Sequence, residues 1–318
     1  METKLKLYEK MFLIRAVEEK IIEHYPDDDM KTPMHMSMGS EFISTGVLHA
    51  LGKRAQVFSS YRSHAPYLAR TGDTDKFFAE MYGRIGGTSD GKGGSMHLAD
   101  PDKGFMYSSG IVASCIPVAV GAAYANKVKG NGKIAVVFFG DGATNEGNFW
   151  ESLNLACLLQ VPVLFVCEDN GLAVHTKRED RNGYISLTRI LRGFECEAFK
   201  NFTGDVMYVY RQALASIKYL NENRPVLMQV GYCRYLEHVG INGDWHQEYR
   251  NPDEYQKWVE KDAVHKLRVE LIRRGMEEQI KRLEYKIELR VDTSVVKAMQ
   301  AKSAPPHIAY SGVYYETD

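Results

Sequence analysis

The chain has 318 residues, 44% of them hydrophobic and 25% charged, the proportions of an ordinary folded chain long enough for one large α/β domain or two small ones. Its 40 Lys and Arg against 41 Asp and Glu leave a net charge of -1, which argues against nucleic acid or an anionic membrane as the main partner, since both favour a basic surface. Cys115, Cys157, Cys167, Cys196 and Cys233 make an odd, irregularly spaced set without C-x-x-C, so core thiols in a reducing cytoplasm are expected rather than a disulfide framework or a zinc site.

Residues 3–24 place Leu7, Met11, Ile14, Val17 and Ile21 at helical spacing and predict an amphipathic helix. Charges interrupt its apolar positions, so no signal-peptide core is expected, and no run of about 18 apolar residues predicts a membrane span. Residues 40–52 predict a second helix. From Val57 to Gly110 the text turns to Gly, Ser, His, Tyr and Arg and includes GRIGGTSDGKGGSMH; ordered loops wrapping a ligand are expected there. A helix follows at 113–129.

The pattern then alternates. IAVVFF (134–139), VPVLFV (161–166) and VLMQV (226–230) are apolar runs of the kind found in parallel strands buried on both faces. Helices are expected at 146–159 and 206–221, and a charged helical tail at 252–300, packed on the outside or against a partner. This βαβ alternation predicts an α/β fold: a three-layer, doubly wound parallel sheet with N- and C-terminal helical extensions. With no internal repeat or linker, 1–318 reads as one domain: helices over 1–56, an α/β core over 57–235, and a loop with a helical extension over 236–318.

Gly140-Asp141-Gly142 follows IAVVFF, and Asp169-Asn170 follows VPVLFV. If these strands lie side by side, both turns meet at the carboxyl edge of the sheet, where open α/β sheets bind ligands. Mg²⁺ takes six oxygens and is usually held by one or two carboxylates together with waters and phosphates. Asp141, the Asn170 amide and the Leu172 carbonyl would leave room for two diphosphate oxygens and a water. Gly140 and Gly142 would let the backbone approach, and the helix after the turn would aim N–H groups at phosphates. A lone GDG is more often a plain turn; the second turn after the next strand is what strengthens the reading.

GDGATNEGNFWESLNLACLLQVPVLFVCEDNGLAV resembles the thiamine diphosphate fingerprint of the E1 component α subunits of 2-oxo acid dehydrogenases (pyruvate, branched-chain 2-oxo acid and acetoin types). SSYRSHAPYLARTGD, GKGGSMHLADPDKGF, SSGIVASCIPVAVGAAYA and GDVMYVYRQA match in order, and DAVHKLRVELIRRG and GVYYE resemble the C-terminal region. The resemblance implies thiamine diphosphate and Mg²⁺ as cofactors, the metal on Asp141, Asn170 and Leu172. It implies Tyr61, Arg62, Arg234 and His238 toward the diphosphate, with backbone groups of Gly142 and Ala143. Gly110 and Val112 would meet the aminopyrimidine, Val112 also holding the cofactor bent. His64 and His238 are the catalytic candidates, His64 matching a histidine near the active-site entrance.

Two departures stand out: Gly39-Ser40-Glu41 replaces Gly-Gln-Glu, and His238 is followed by Val-Gly-Ile-Asn-Gly-Asp rather than a Ser-x-Ser-Asp loop. The latter leaves the substrate open. No second sheet is visible for the cofactor's other half, so a separate β subunit in an α2β2 assembly is expected, with a lipoyl-bearing acyltransferase as a further candidate partner. The alternatives are half of another split thiamine diphosphate enzyme (acetoin dehydrogenase, transketolase-like or carboligase) and a non-catalytic subunit of the same fold.

Overall fold

A computed structural model describes residues 1–311; the GVYYE motif lies outside the described residues. Six strands form one parallel sheet: β1 (Ala55–Ser60), β2 (Phe105–Ser109), β3 (Ile134–Gly140), β4 (Val163–Asp169), β7 (Glu197–Asn201) and β8 (Val226–Gly231), in the order β2-β1-β3-β4-β8-β7. A two-stranded hairpin, β5 (Leu172–Ala173) with β6 (Thr176–Lys177), stands apart. The helices are α1 (Glu2–His24), α2 (Glu41–Leu51), α3 (His64–Thr71), α4 (Thr74–Met81), α5 (Cys115–Lys129), α6 (Gly147–Leu159), α7 (Leu187–Ile190), α8 (Val206–Asn221), α9 (Pro252–Val259), α10 (Ala263–Arg273) and α11 (Glu277–Gln300).

The three layers follow from strand alternation. Ile134, Val136 and Phe138 of β3 pack with α1, α2 and α8, whereas Ala135, Val137 and Phe139 pack with α5 and α6. Both faces are covered, which is why the strand text is continuously apolar. From β1 the chain steps outward to β2, then crosses back to β3 on the other side of β1. That reversal opens a crevice at the carboxyl ends of β1 and β3.

The stretch from Val57 to Gly110 is more regular than its composition suggests. It holds β1, α3, α4 and β2, whose ends are serines (Ser59, Ser60, Ser108 and Ser109) buried although polar. Its glycine-rich loop wraps Glu80, a buried carboxylate on α4 that accepts the backbone N–H groups of Ser89, Gly91, Gly93 and Gly94 at 2.7–3.1 Å. A Cβ on Gly87 would stand 2.5 Å from the Glu80 carboxylate and 2.8 Å from its backbone, so the glycines serve close packing around an internal anion. The charged tail is half internal: Ile280, Ile287, Val291 and Val295 of α11 are buried, while Tyr285, Leu289, Val296 and Met299 are exposed.

Candidate functional site

The crevice encloses about 180 Å³ and draws on four strand ends. Ser60, Tyr61 and Arg62 come from β1, and Gly140, Asp141, Gly142 and Ala143 from β3. Glu168, Asn170, Leu172 and Val174 follow along β4 and the hairpin, and Tyr232 and His238 come from beyond β8. The register pairs Gly140 with Glu168, so the residues just after them leave adjacent strands at one edge, as the two apolar runs predicted. A 3-10 turn, Asp141–Asn145, intervenes before α6; Gly142 and Ala143 therefore sit in that turn and not at the N-terminus of the helix.

Asp141 is buried. Its Oδ2 pairs with Arg181, and its carbonyl accepts the Thr144 hydroxyl at 2.7 Å. Its Oδ1 is buried with no protein partner among the described residues. Burial, and then the like charge of Asp169, push its carboxyl up to about 7 against the pull of Arg181 and Arg178. A buried acceptor without a partner costs about 1–3 kcal/mol, and a cation at this edge would remove that cost. Asn170 is fixed by its neighbours: Nδ2 donates to the Tyr232 hydroxyl at 3.0 Å, and Oδ1 accepts the Leu172 N–H at 2.9 Å. Among the described residues no group of three or more His, Cys, Asp or Glu side chains is placed to hold a metal. What this edge offers is a hard-oxygen set of one carboxylate, one amide and main-chain carbonyls, which suits Mg²⁺ carrying phosphate oxygens. The residues fit a magnesium diphosphate group.

Tyr61, Arg62, Val112, Gly140, Asp141, Gly142, Ala143, Asn170, Leu172 and His238 line the crevice together. Arg62 is buried and donates to the carbonyls of Met36 and His238. Burial, then Arg62 and Arg234, push the His238 imidazole down to about 4, so the ring is neutral at pH 7. Arg234 Nη1 lies 3.4 Å from its Nδ1, which leaves Nε2 as the N–H donor.

Three sequence candidates sit elsewhere. His64 is fully buried behind the crevice, its Nδ1 2.6 Å from Glu18 and its Nε2 2.7 Å from Ser95; both ring nitrogens are engaged in holding backbone elements together. Gly110 packs against His97, with its nearest ring atom 3.3 Å from an added Cβ. Arg234 is buried because Asp244 takes its Nη2 at 2.7 Å. The unusual loop after His238 thus supplies an internal anion, shared with Arg250 at 3.2 Å, and Arg234 touches the crevice through His238 and the Val174 carbonyl.

Sequence reading missed Glu168, Tyr232 and the Arg178–Arg181 pair. Glu168 is buried in the crevice wall with Oε1 unpartnered, and burial pushes it up to about 8. It hides inside a strand, where only its place in an otherwise apolar run could have marked it. A larger groove of about 510 Å³, bordered by Phe202, Tyr249, Tyr255 and Trp258, opens beyond the Asn170–Leu172 turn. It shares Asn170, Leu172 and Tyr232 with the crevice but not Asp141.

The family model described as dehydrogenase E1 component matches residues 9–307. The chain is similar to the α subunit of acetoin:2,6-dichlorophenolindophenol oxidoreductase of Cupriavidus necator, 36% identical over 78% of this chain and 74% of that one. The Bacillus subtilis subunit of the same description is 33% identical over 96% and 90%. The pyruvate dehydrogenase E1 component subunit alpha of Rhizobium meliloti is 31% identical over 90% and 82%.

Proposed function

The chain belongs to the dehydrogenase E1 component family, and on that footing we propose that it is the α subunit of a thiamine diphosphate-dependent 2-oxo acid dehydrogenase. In this reading Asp141, Asn170 and the Leu172 carbonyl hold Mg²⁺, and Tyr61, Arg62 and His238 face the diphosphate. Bound thiamine diphosphate supplies the carbanion chemistry by which a 2-oxo acid such as pyruvate loses CO₂ and its acyl group passes to a lipoyl carrier. The protein's part is to bind and orient. Tyr232 fixes the Asn170 amide, Arg62 and the neutral His238 present donors to an anion, and Val112, half exposed at the rim, offers an apolar edge. The observation that carries the reading is the unpartnered, buried Oδ1 of Asp141 beside Asn170 on the neighbouring strand end.

A separate β subunit completes the site. The crevice of about 180 Å³ is below the roughly 300–1,000 Å³ of a whole ligand pocket, as half of a shared site would be. An α2β2 assembly and a lipoyl-bearing acyltransferase belong to the same proposal. Decarboxylation of pyruvate, followed with the purified chain alone and after adding the β subunit, tests it: turnover is expected only with both, and robust turnover by the chain alone overturns the shared site. The two acetoin-oxidising relatives are the more similar of the three described above, so acetoin is the second substrate to assay.

A further inference from the structure

The chain turns back sharply after Leu172. The β5–β6 hairpin reverses it, the Arg178 N–H meets the Gly171 carbonyl at 2.9 Å, and a 3-10 turn (Arg178–Asp180) follows. This returns two arginines to the two strand-end carboxylates: Arg178 pairs with Asp169, and Arg181 with Oδ2 of Asp141. Arg181 is one-tenth exposed, and its Nη1 is further bound by the Asn145 side chain and the Asp141 carbonyl. Asn145 Nδ2 reciprocates to the Arg181 carbonyl at 3.2 Å and to the Asn182 side chain at 2.8 Å. The Tyr184 hydroxyl, 2.8 Å from the Thr144 hydroxyl, ties the same segment to the turn after β3.

We propose that Arg178 and Arg181 neutralise the two strand-end carboxylates and so make this site select a cation–diphosphate pair over a bare divalent cation. The inference rests on the assignment of the metal to Asp141 made above. Its basis is a charge count. Asp141 and Asp169 are cancelled by the two arginines. Glu168, even counted as ionised, is offset by Arg62, whose hydrogen bonds go to carbonyls rather than to carboxylates. Arg234 is spent on Asp244. Glu146 is at the exposed rim, where solvent and salt screen it. A bare divalent cation therefore meets no net negative charge, and its ligand carboxylate already carries a guanidinium. A diphosphate arriving with the cation brings the missing negative charge, and it meets Arg62, which lines the crevice, as well as the metal. Oδ1 of Asp141 stays open for the cation while Arg181 keeps Oδ2. Cation and diphosphate thus bind with positive coupling, each raising the other's affinity by the same factor.

The test is equilibrium dialysis of Mn²⁺ against the cofactor-stripped complex with the β subunit, with and without inorganic pyrophosphate. The parent is expected to bind Mn²⁺ at least about tenfold more tightly with pyrophosphate present. Arg181→Gln should bind Mn²⁺ alone about tenfold more tightly than the parent and lose most of the pyrophosphate enhancement, while Arg181→Lys, which keeps the charge, should follow the parent. Arg181→Gln with unchanged or weaker binding of Mn²⁺ alone overturns the proposal, as does a parent indifferent to pyrophosphate. If the Gln variant does not fold, Asn145→Ala, which strips Arg181 of an anchor without touching Asp141, is read by the same two outcomes. Asp141→Asn separates the two claims: pyrophosphate-dependent Mn²⁺ binding that survives it defeats the metal assignment itself, independently of the arginines.

Discussion

At the end of β1, Arg62 gives its guanidinium to the carbonyls of Met36 and His238, and His64 is clasped between Glu18 and Ser95. Glu18 also accepts the N–H groups of Ser37 at 2.6 Å and Met38 at 3.2 Å, so the charged side chains on this side of the crevice are bound to the α1 layer and engaged by the protein itself, although the Ser59 hydroxyl and the His35 Nδ1 are buried here without a partner among the described residues. At the ends of β3 and β4 it is the carboxylates that are left open. Asp141 Oδ1 and Glu168 Oε1 are buried without protein partners among the described residues. Buried polar atoms are rarely left unmatched, so the difference separates a wall that holds the fold together from a wall kept open for a ligand.

Removing an acceptor from the β1 wall should cost stability first. Glu18→Ala strands three buried donors and should lower unfolding free energy by about 3–5 kcal/mol, read by denaturant titration, with cofactor affinity of the folded fraction nearly unchanged. Lost affinity at parental stability would erase the contrast between the walls. Asp141→Asn, which keeps an oxygen for Arg181, should do the reverse: metal-dependent thiamine diphosphate binding should fall by at least about 100-fold, roughly 2.7 kcal/mol, at near-parental melting temperature, as followed by calorimetric titration.

Acidity should sharpen the comparison. The Asp141 carboxyl is raised to about 7 in the metal-free protein. Its neutral, protonated form cannot ligate, so cation binding must release a proton below that pH. Affinity for Mg²⁺ should be flat above about pH 7 and fall about tenfold per unit below it; a pH-independent affinity between 5.5 and 8 would refute the open-wall account. The smallest effect is expected from Tyr232→Phe, which removes the hydroxyl that fixes the Asn170 amide at 3.0 Å. A loss of about 0.5–1.5 kcal/mol, or 2- to 10-fold in Mg²⁺ affinity, should leave the fold intact, and no change at all would mean that the amide needs no guide.

Much of this was legible from residues alone, for identifiable reasons. The apolar runs of β3, β4 and β8 are continuous because both faces of the sheet are covered, so strand, layer count and the carboxyl-edge position of Asp141 and Asn170 could be read directly. β1 and β2 could not, because AQVFSS and FMYSS end in serines that turn polar where they approach the crevice. The glycines of the 83–94 loop signalled close approach correctly but not to what: the anion they embrace is Glu80 of this chain.

Local order is written in short-range text. Hydrophobic period marked the longer helices and the central strands but not α3, α4 or α7, and two turn motifs marked where the crevice lies. Which polar groups meet there was decided by contacts between segments far apart in sequence. Glu18 claims His64, Asp244 claims Arg234, and Arg181 claims Asp141, leaving His238 and the open oxygen of Asp141 for a ligand. A charged side chain names no partner by itself; only the folded chain brings its counter-charge within reach and removes the water that would have served instead.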